Sequence, residues 1–211
     1  MAARVFADRA DGGRCLAEEL RRRAWTDPLV LGLARGGVPV AAVVARRLGA
    51  ALDVAVARKI GAPRRREYGV GAVTADGPAI YDEAALHALE LTAARMARTE
   101  ARERAEARRR LGRYRAGRAP VVLTGRDVIL VDDGLATGVT ATAALRDVRA
   151  ARPRTLVFAT PVAAPGAADR VRREADEVVC VAEPPGFRAV GQWYADFHQT
   201  SDDDVLDLLF R

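Results

Sequence analysis

Two aspartates, Asp132 and Asp133, stand between an apolar run and a turn of small and hydroxyl residues in the segment VILVDDGLATGVT, residues 128–140. Adjacent carboxylates accept hydrogen bonds from neighbouring hydroxyls. Gly134, Ala136, Thr137, Gly138, Val139 and Thr140 then lead into a helical pattern, where free backbone N–H groups, two hydroxyls and the helix dipole favour a phosphate. One turn therefore offers acceptors for sugar hydroxyls and donors for a phosphate, and a ribose 5-phosphate presents both on adjacent sides. Two plainer readings use the same residues: a strand-to-helix connection with an acidic N-cap, or the magnesium-binding acidic pair of another α/β family.

A second glycine turn, Ala34-Arg35-Gly36-Gly37 within LGLARGGVPVA, joins an apolar run to a helical pattern. Gly-Gly lets backbone N–H groups approach an anion closely, although a plain βα turn reads the same way. Arg58 and Lys59 close the next apolar run, as ligand-facing cations or as a solvated strand end. Near the C-terminus Trp193, Tyr194 and Phe197, three of the chain's eleven aromatics, gather beside His198. Trp193 and Tyr194 are candidates to stack on a planar acceptor, but packing of the final helix, Asp202–Phe210, onto the sheet is the favoured reading. His87 and His198 lie in different segments and support neither a metal cluster nor Ser-His-Asp chemistry. Neither a GxGxxG fingerprint nor a P-loop of the Walker type occurs.

These residues need a frame. Cys15, Leu16 and Leu20 among charged neighbours predict a helix from Arg9 to Arg23, and Pro28 precedes a strand at Leu29–Leu33. Val38–Leu48 reads as a helix, with Arg46 and Arg47 suited to its C-terminus, and Leu52–Ala57 as a strand. Strand, glycine turn, helix and strand make a βαβ unit, which implies parallel pairing and a right-handed crossover. The rhythm returns as strand Asp127–Val131, helix Thr140–Ala151, strand Thr155–Thr160, helix Pro165–Glu174 and strand Glu177–Val181. The expected fold class is α/β, a doubly wound, mainly parallel sheet flanked by helices in a single domain over residues 1–211. Ligands gather at the carboxyl edge of such a sheet. Short β-like pieces at Gly69–Val73 and Ala79–Tyr81, with a long helical stretch from Asp82 to Tyr114, predict a hood or flap insertion over about residues 61–118.

Residues 128–140 resemble the signature of the type I phosphoribosyltransferase family: several apolar residues, two acidic ones, then a Thr-Gly-x-Thr-like turn. The resemblance implies that Asp132 and Asp133 bind the ribose 2- and 3-hydroxyls of 5-phosphoribosyl-1-diphosphate and serve in catalysis with Lys59. It assigns the 5-phosphate to the turn from Gly134, through the backbone of 136–140 and the hydroxyls of Thr137 and Thr140. It assigns diphosphate to Ala34, Arg35, Gly36, Gly37 and Lys59, and implies Mg2+ held mainly through the substrate. Ala136 departs from the pattern, since many relatives carry a hydroxyl there. GAPRRREYGVGAV, residues 61–73, is similar to the hood of a bacterial subgroup of uncharacterised acceptor specificity, in which Pro precedes the Glu. Here Arg66 precedes Glu67, so the loop is expected to be less stiff and more basic, and no catalytic role is assigned to Arg64–Arg66. The implied activity is transfer of the phosphoribosyl group to a nitrogen acceptor of nucleobase type, with release of diphosphate. The alternative is a phosphoribosyl-diphosphate-sensing regulator that binds nucleic acid.

Composition bounds these readings. Thirty-four Lys and Arg against 28 Asp and Glu give a net charge of +6, which suits an anionic ligand. The Arg-rich stretch 95–115 sets Glu100 four residues before Arg104 and Glu106 before Arg110, the spacing of a solvated helix face, so nucleic acid is the less favoured partner. Cys15 and Cys180 form no CxxC pair and read as buried thiols. Every longer apolar run is broken by Arg or Gly, so a cytoplasmic protein without membrane contact is expected, and the family resemblance permits a homodimer.

Overall fold

The computed structural model describes residues 6–63 and 65–210, the side chains of 65–67 excepted, and the expectation for Arg64–Arg66 lies outside the described residues. Five strands, β1 (Leu29–Leu33), β2 (Ala51–Ala55), β6 (Asp127–Val131), β7 (Thr155–Val162) and β8 (Glu177–Ala182), form a parallel sheet ordered β2-β1-β6-β7-β8. Its central strands β1, β6 and β7 are buried on both faces because helices cover both. Helices α1 (Arg9–Leu20) and α2 (Gly37–Leu48) bury Leu16, Leu20, Val40 and Val44 against Val30, Ile129 and Val157. On the other face α5 (Val139–Ala150) and α6 (Ala167–Val171) pack Leu145, Val148 and Val171 against Leu31, Leu130 and Phe158. The direction of winding reverses between β1 and β6, whose following helices go to opposite faces. The loops after these two strands therefore splay apart and open a crevice at their carboxyl ends.

The segment between β2 and β6 makes a second unit. Strands β3 (Ala57–Ala62), β4 (Arg65–Thr74) and β5 (Ile80–Tyr81) form an antiparallel sheet, backed by α3 (Glu83–Ala88) and α4 (Ala93–Arg115). Three expectations change here. The strand predicted to run from Leu52 to Ala57 breaks at Val56: β2 stays in the parallel sheet, and Arg58 and Lys59 belong to β3 of the hood. The helix predicted from Asp82 to Tyr114 is two helices, separated by residues 89–92, where Glu90 takes a left-handed φ of 51°. The sixth helix is shorter than Pro165–Glu174: Gly166, at φ 74°, caps its start, and it ends at Val171.

The arginines of α4 are engaged as their spacing predicts. Arg104 meets Glu100 at 2.8 Å and Arg110 meets Glu106 at 2.7 Å, while Arg113 reaches Asp202 and Asp203 of α7 (Asp202–Leu209). Such pairs tie the helix to itself and to the body. Among the described residues, no helix is long and apolar enough to cross a membrane.

Candidate functional site

The two glycine turns meet at the β1/β6 crevice. Strand β6 ends at Val131, and the Asp132 N–H donates to the Ala159 carbonyl at 3.1 Å, which holds the acidic pair at the sheet's edge. The Asp133 N–H donates to Asp132 Oδ1 at 2.9 Å. From the other side comes the turn after β1, with a cis peptide between Ala34 and Arg35. A β-carbon on Gly36 would overlap the Asp133 carboxylate, and one on Gly37 would overlap the Val131 carbonyl oxygen. Both positions thus require glycine for approach rather than for φ. Residues 34–37 and the pair Asp132 and Asp133 belong to separate motifs in the sequence, and the fold packs one against the other.

Past Leu135 the chain turns at Gly138, whose φ of 76° suits glycine, and enters α5. Thr137 is exposed and Thr140 half-buried, so the turn 136–140 presents hydroxyls beside the first-turn N–H groups of a twelve-residue helix. Opposite stands the hood. A cavity of about 520 Å³ lies between them, lined by Thr137, Val139 and Thr140 below and by Lys59, Tyr68 and Asp82 above. Lys59 is therefore brought opposite the turn at 137–140, although from β3 instead of the end of β2. Its neighbour Arg58 is not, since its guanidinium is held by Glu103 of α4 at 2.9 Å. A β-carbon on Gly69 would come within 2.5 Å of Lys59 Cδ, so the bare backbone there leaves the lysine stem its path. A second recess, about 390 Å³, is lined by Asp133 together with Arg9, Arg35, Gly36 and Thr200.

Two contacts brace the acidic pair that no motif announced. Arg9, in the first turn of α1, donates from Nε to Asp133 Oδ2 at 2.8 Å and from Nη1 to the His198 carbonyl at 2.6 Å, while its guanidinium lies 3.8 Å from the Phe197 ring centre. The Tyr194 hydroxyl donates to the Asp133 carbonyl at 2.6 Å. Burial raises both carboxyls above the usual aspartate range. For Asp132 the Asp133 charge adds to the rise, and for Asp133 the Arg9 cation opposes it. Asp82 goes the other way: the Ala85 N–H and Arg170, at 2.8 Å, hold its carboxyl low.

The aromatic tail corrects an expectation. Trp193 and Tyr194 are 3% and 2% exposed, packed with Phe6 and Val162, so neither presents a free face for a planar acceptor. Nor do they seat the last helix, which packs its Val205 and Leu209 against Val38, Val54 and Tyr114. The ring that does line the cavity is Tyr68, 48% exposed on β4, within the segment singled out as hood.

Among the described residues no group of three or more His, Cys, Asp and Glu could hold a metal. The residues present fit a divalent cation brought with a substrate, because two buried neighbouring carboxylates gain from a positive charge that desolvation and mutual repulsion otherwise deny them.

A doubly wound sheet with an acidic pair, a helix-start turn and a glycine turn converging at the switch point, under a β-hairpin hood, defines the type I phosphoribosyltransferase fold. A family model described as "Phosphoribosyl transferase domain" matches residues 6–196, and the chain belongs to that family. Two Mycobacterium tuberculosis proteins, each named "Putative phosphoribosyl transferase", are 45% identical to it over 208 residues, which is 99% of this chain and 47% of theirs. The chain thus spans about half the length of these curated relatives. The crystal structure of TT1426 from Thermus thermophilus matches with a TM-score of 0.80 and 45% identity over 97% of each chain. The AQ2163 protein from Aquifex aeolicus, at TM-score 0.52 and 14% identity over 89% of this chain and 83% of its own, shares the fold alone.

Proposed function

We propose that this chain transfers a 5-phosphoribosyl group from phosphoribosyl diphosphate to a nitrogen acceptor of nucleobase type and releases diphosphate. The observation that carries the reading is the packing of Gly36 onto Asp133, which sets a candidate diphosphate turn beside the candidate ribose carboxylates. The turn 136–140 lies at the same crevice, its N–H groups and hydroxyls suited to a 5-phosphate.

In this reading the anomeric C–O bond breaks with its electron pair leaving on diphosphate, a C–N bond forms, and the acceptor nitrogen gives up a proton. Asp132 and Asp133 accept the ribose hydroxyls and face the positive charge that develops on the ring. The backbone of residues 34–37, with Lys59 closing from the hood, takes up the leaving-group charge. Magnesium, which favours oxygen ligands, neutralises diphosphate charge when bound. The hood cavity holds the acceptor, with Tyr68 as its stacking surface, and shields the donor from water.

Calorimetry of phosphoribosyl diphosphate binding with and without magnesium tests the donor site, with Asp132→Asn/Asp133→Asn as control. Saturable, magnesium-assisted binding that the double variant loses supports it, and diphosphate release across a panel of nitrogen bases then identifies the acceptor. Failure of the folded protein to bind the donor would overturn the reading.

A further inference from the structure

Away from the crevice, a cavity of about 300 Å³ lies below the hood, at the edge strand β2, between the C-terminal parts of α4 and α5 and the connection 120–124. Its walls are mostly apolar, with Val121, Leu123 and Val148 contributing, and three charged residues interrupt them: Asp53, Arg115 and Asp147. Asp53 pairs in register with Leu31, and strand alternation sends its side chain to the face shared by Leu31 and Ala55, which Val121 and Val148 also cover. It is 5% exposed and makes no hydrogen bond or ion pair with another described residue. The Nε of Arg115 is likewise buried without a partner. Asp147 is buried enough that desolvation raises its carboxyl, against the Thr74 hydroxyl and the Arg115 cation.

A carboxylate without a partner among the described residues and a buried guanidinium N–H without one line the same cavity, and the N–H is unfavourable as it stands. Were they satisfied by each other they would form an ion pair, and they do not. The space between them suits a molecule with a positive group for Asp53 and Asp147 and an acceptor for Arg115. We propose that this cavity binds a short aliphatic zwitterion, with its ammonium between Asp53 and Asp147 and its carboxylate on Arg115. The apolar walls take the stem. Asp147 also abuts the turn between β4 and β5, where a β-carbon on Gly77 would lie 3.0 Å from Asp147 Oδ1, so an occupant bears on the hood hairpin. This site is independent of the donor crevice and stands or falls apart from it.

Calorimetry on the full chain with 4-aminobutanoate, n-butylamine and butanoate tests it. The zwitterion is expected to bind saturably and about tenfold more tightly than the amine, the scale of one charge-assisted hydrogen bond, with butanoate not binding. Asp53→Asn lowers affinity for both amines about tenfold or more, and Arg115→Met abolishes the preference for the zwitterion. In the wild-type chain, the side-chain carboxyl carbon resonance of Asp53 shifts during the titration, a readout that needs no variant. Absence of saturable binding to the folded wild type, or undiminished binding by folded Asp53→Asn, overturns the proposal. A more stable Asp53→Asn together with a silent wild-type titration would assign the cavity to water alone.

Discussion

Arg9 Nε lies 2.8 Å from Asp133 Oδ2, joining two side chains 124 residues apart that are only 13% and 14% exposed. A cation so placed keeps one carboxylate of the pair oriented and offsets part of its burial. Arg9→Met leaves that carboxylate without its partner, and a loss of about 1.5–3 kcal/mol in unfolding free energy is expected from a charged hydrogen bond of this kind. Urea denaturation at neutral pH measures it. An unchanged midpoint and slope would mean that the pair contributes nothing to the fold.

Gly36→Ala and Gly112→Ala should move stability in opposite directions. The added methyl at Gly36 overlaps the Asp133 carboxylate, so the turn must shift, at a cost of about 1–3 kcal/mol and a loss of donor affinity. At Gly112, inside α4, the methyl meets open space, and a gain of about 0.5–1 kcal/mol is expected from helix propensity. Thermal unfolding of both variants, with donor titration of the first, separates the two effects.

Asp132 should trade stability for binding. Its carboxyl is raised in the folded protein by burial and by the Asp133 charge. The stability it contributes is therefore present below the unfolded aspartate pKa, about 3.9, and is lost as pH rises through the folded value. Above the unfolded value the shift opposes folding, and Asp132→Asn is expected to raise the melting temperature at pH 7 by about 2–4 °C, the scale of 1 kcal/mol in a chain of this length. The same change should abolish donor binding, which in the wild type should fade as acidification protonates the pair. A melting temperature that drops in Asp132→Asn at pH 7 contradicts this account.

Asp127 should show the reverse sign. It is 2% exposed, yet although burial pushes its carboxyl up, Arg154 and the Thr26 N–H, at 2.8 Å, hold it below the ordinary value. Its contribution is present above the unfolded pKa and lost as pH falls through the lowered one. Asp127→Asn is expected to destabilise by about 1–3 kcal/mol at pH 7 and to flatten the acid limb of the stability profile, as followed by denaturant midpoints between pH 2 and 7.

What could be read along the chain was whatever depends on near neighbours. Residues 128–140 carry strand, acidic pair, turn and helix start consecutively, so their order alone points to a ligand edge, and the alternation of βα units leaves few topologies for the parallel sheet. The i,i+4 pairs of α4 were legible for the same reason: a helix's own geometry makes Glu100 and Arg104 neighbours. The break at Val56 was not, because β2 and β3 form one apolar run, and only pairing partners decide that the chain leaves one sheet for another. Nor could Arg9 be found, since nothing in a helix's first turn tells which of many arginines will meet a carboxylate 124 residues on. Trp193 and Tyr194 carried an ambiguity between stacking and packing that burial against Phe6 resolves. Local order thus determined the chemistry on offer. Which of those groups share a crevice was decided by the reversal of winding between β1 and β6, a property of the sheet as a whole that no single segment contains.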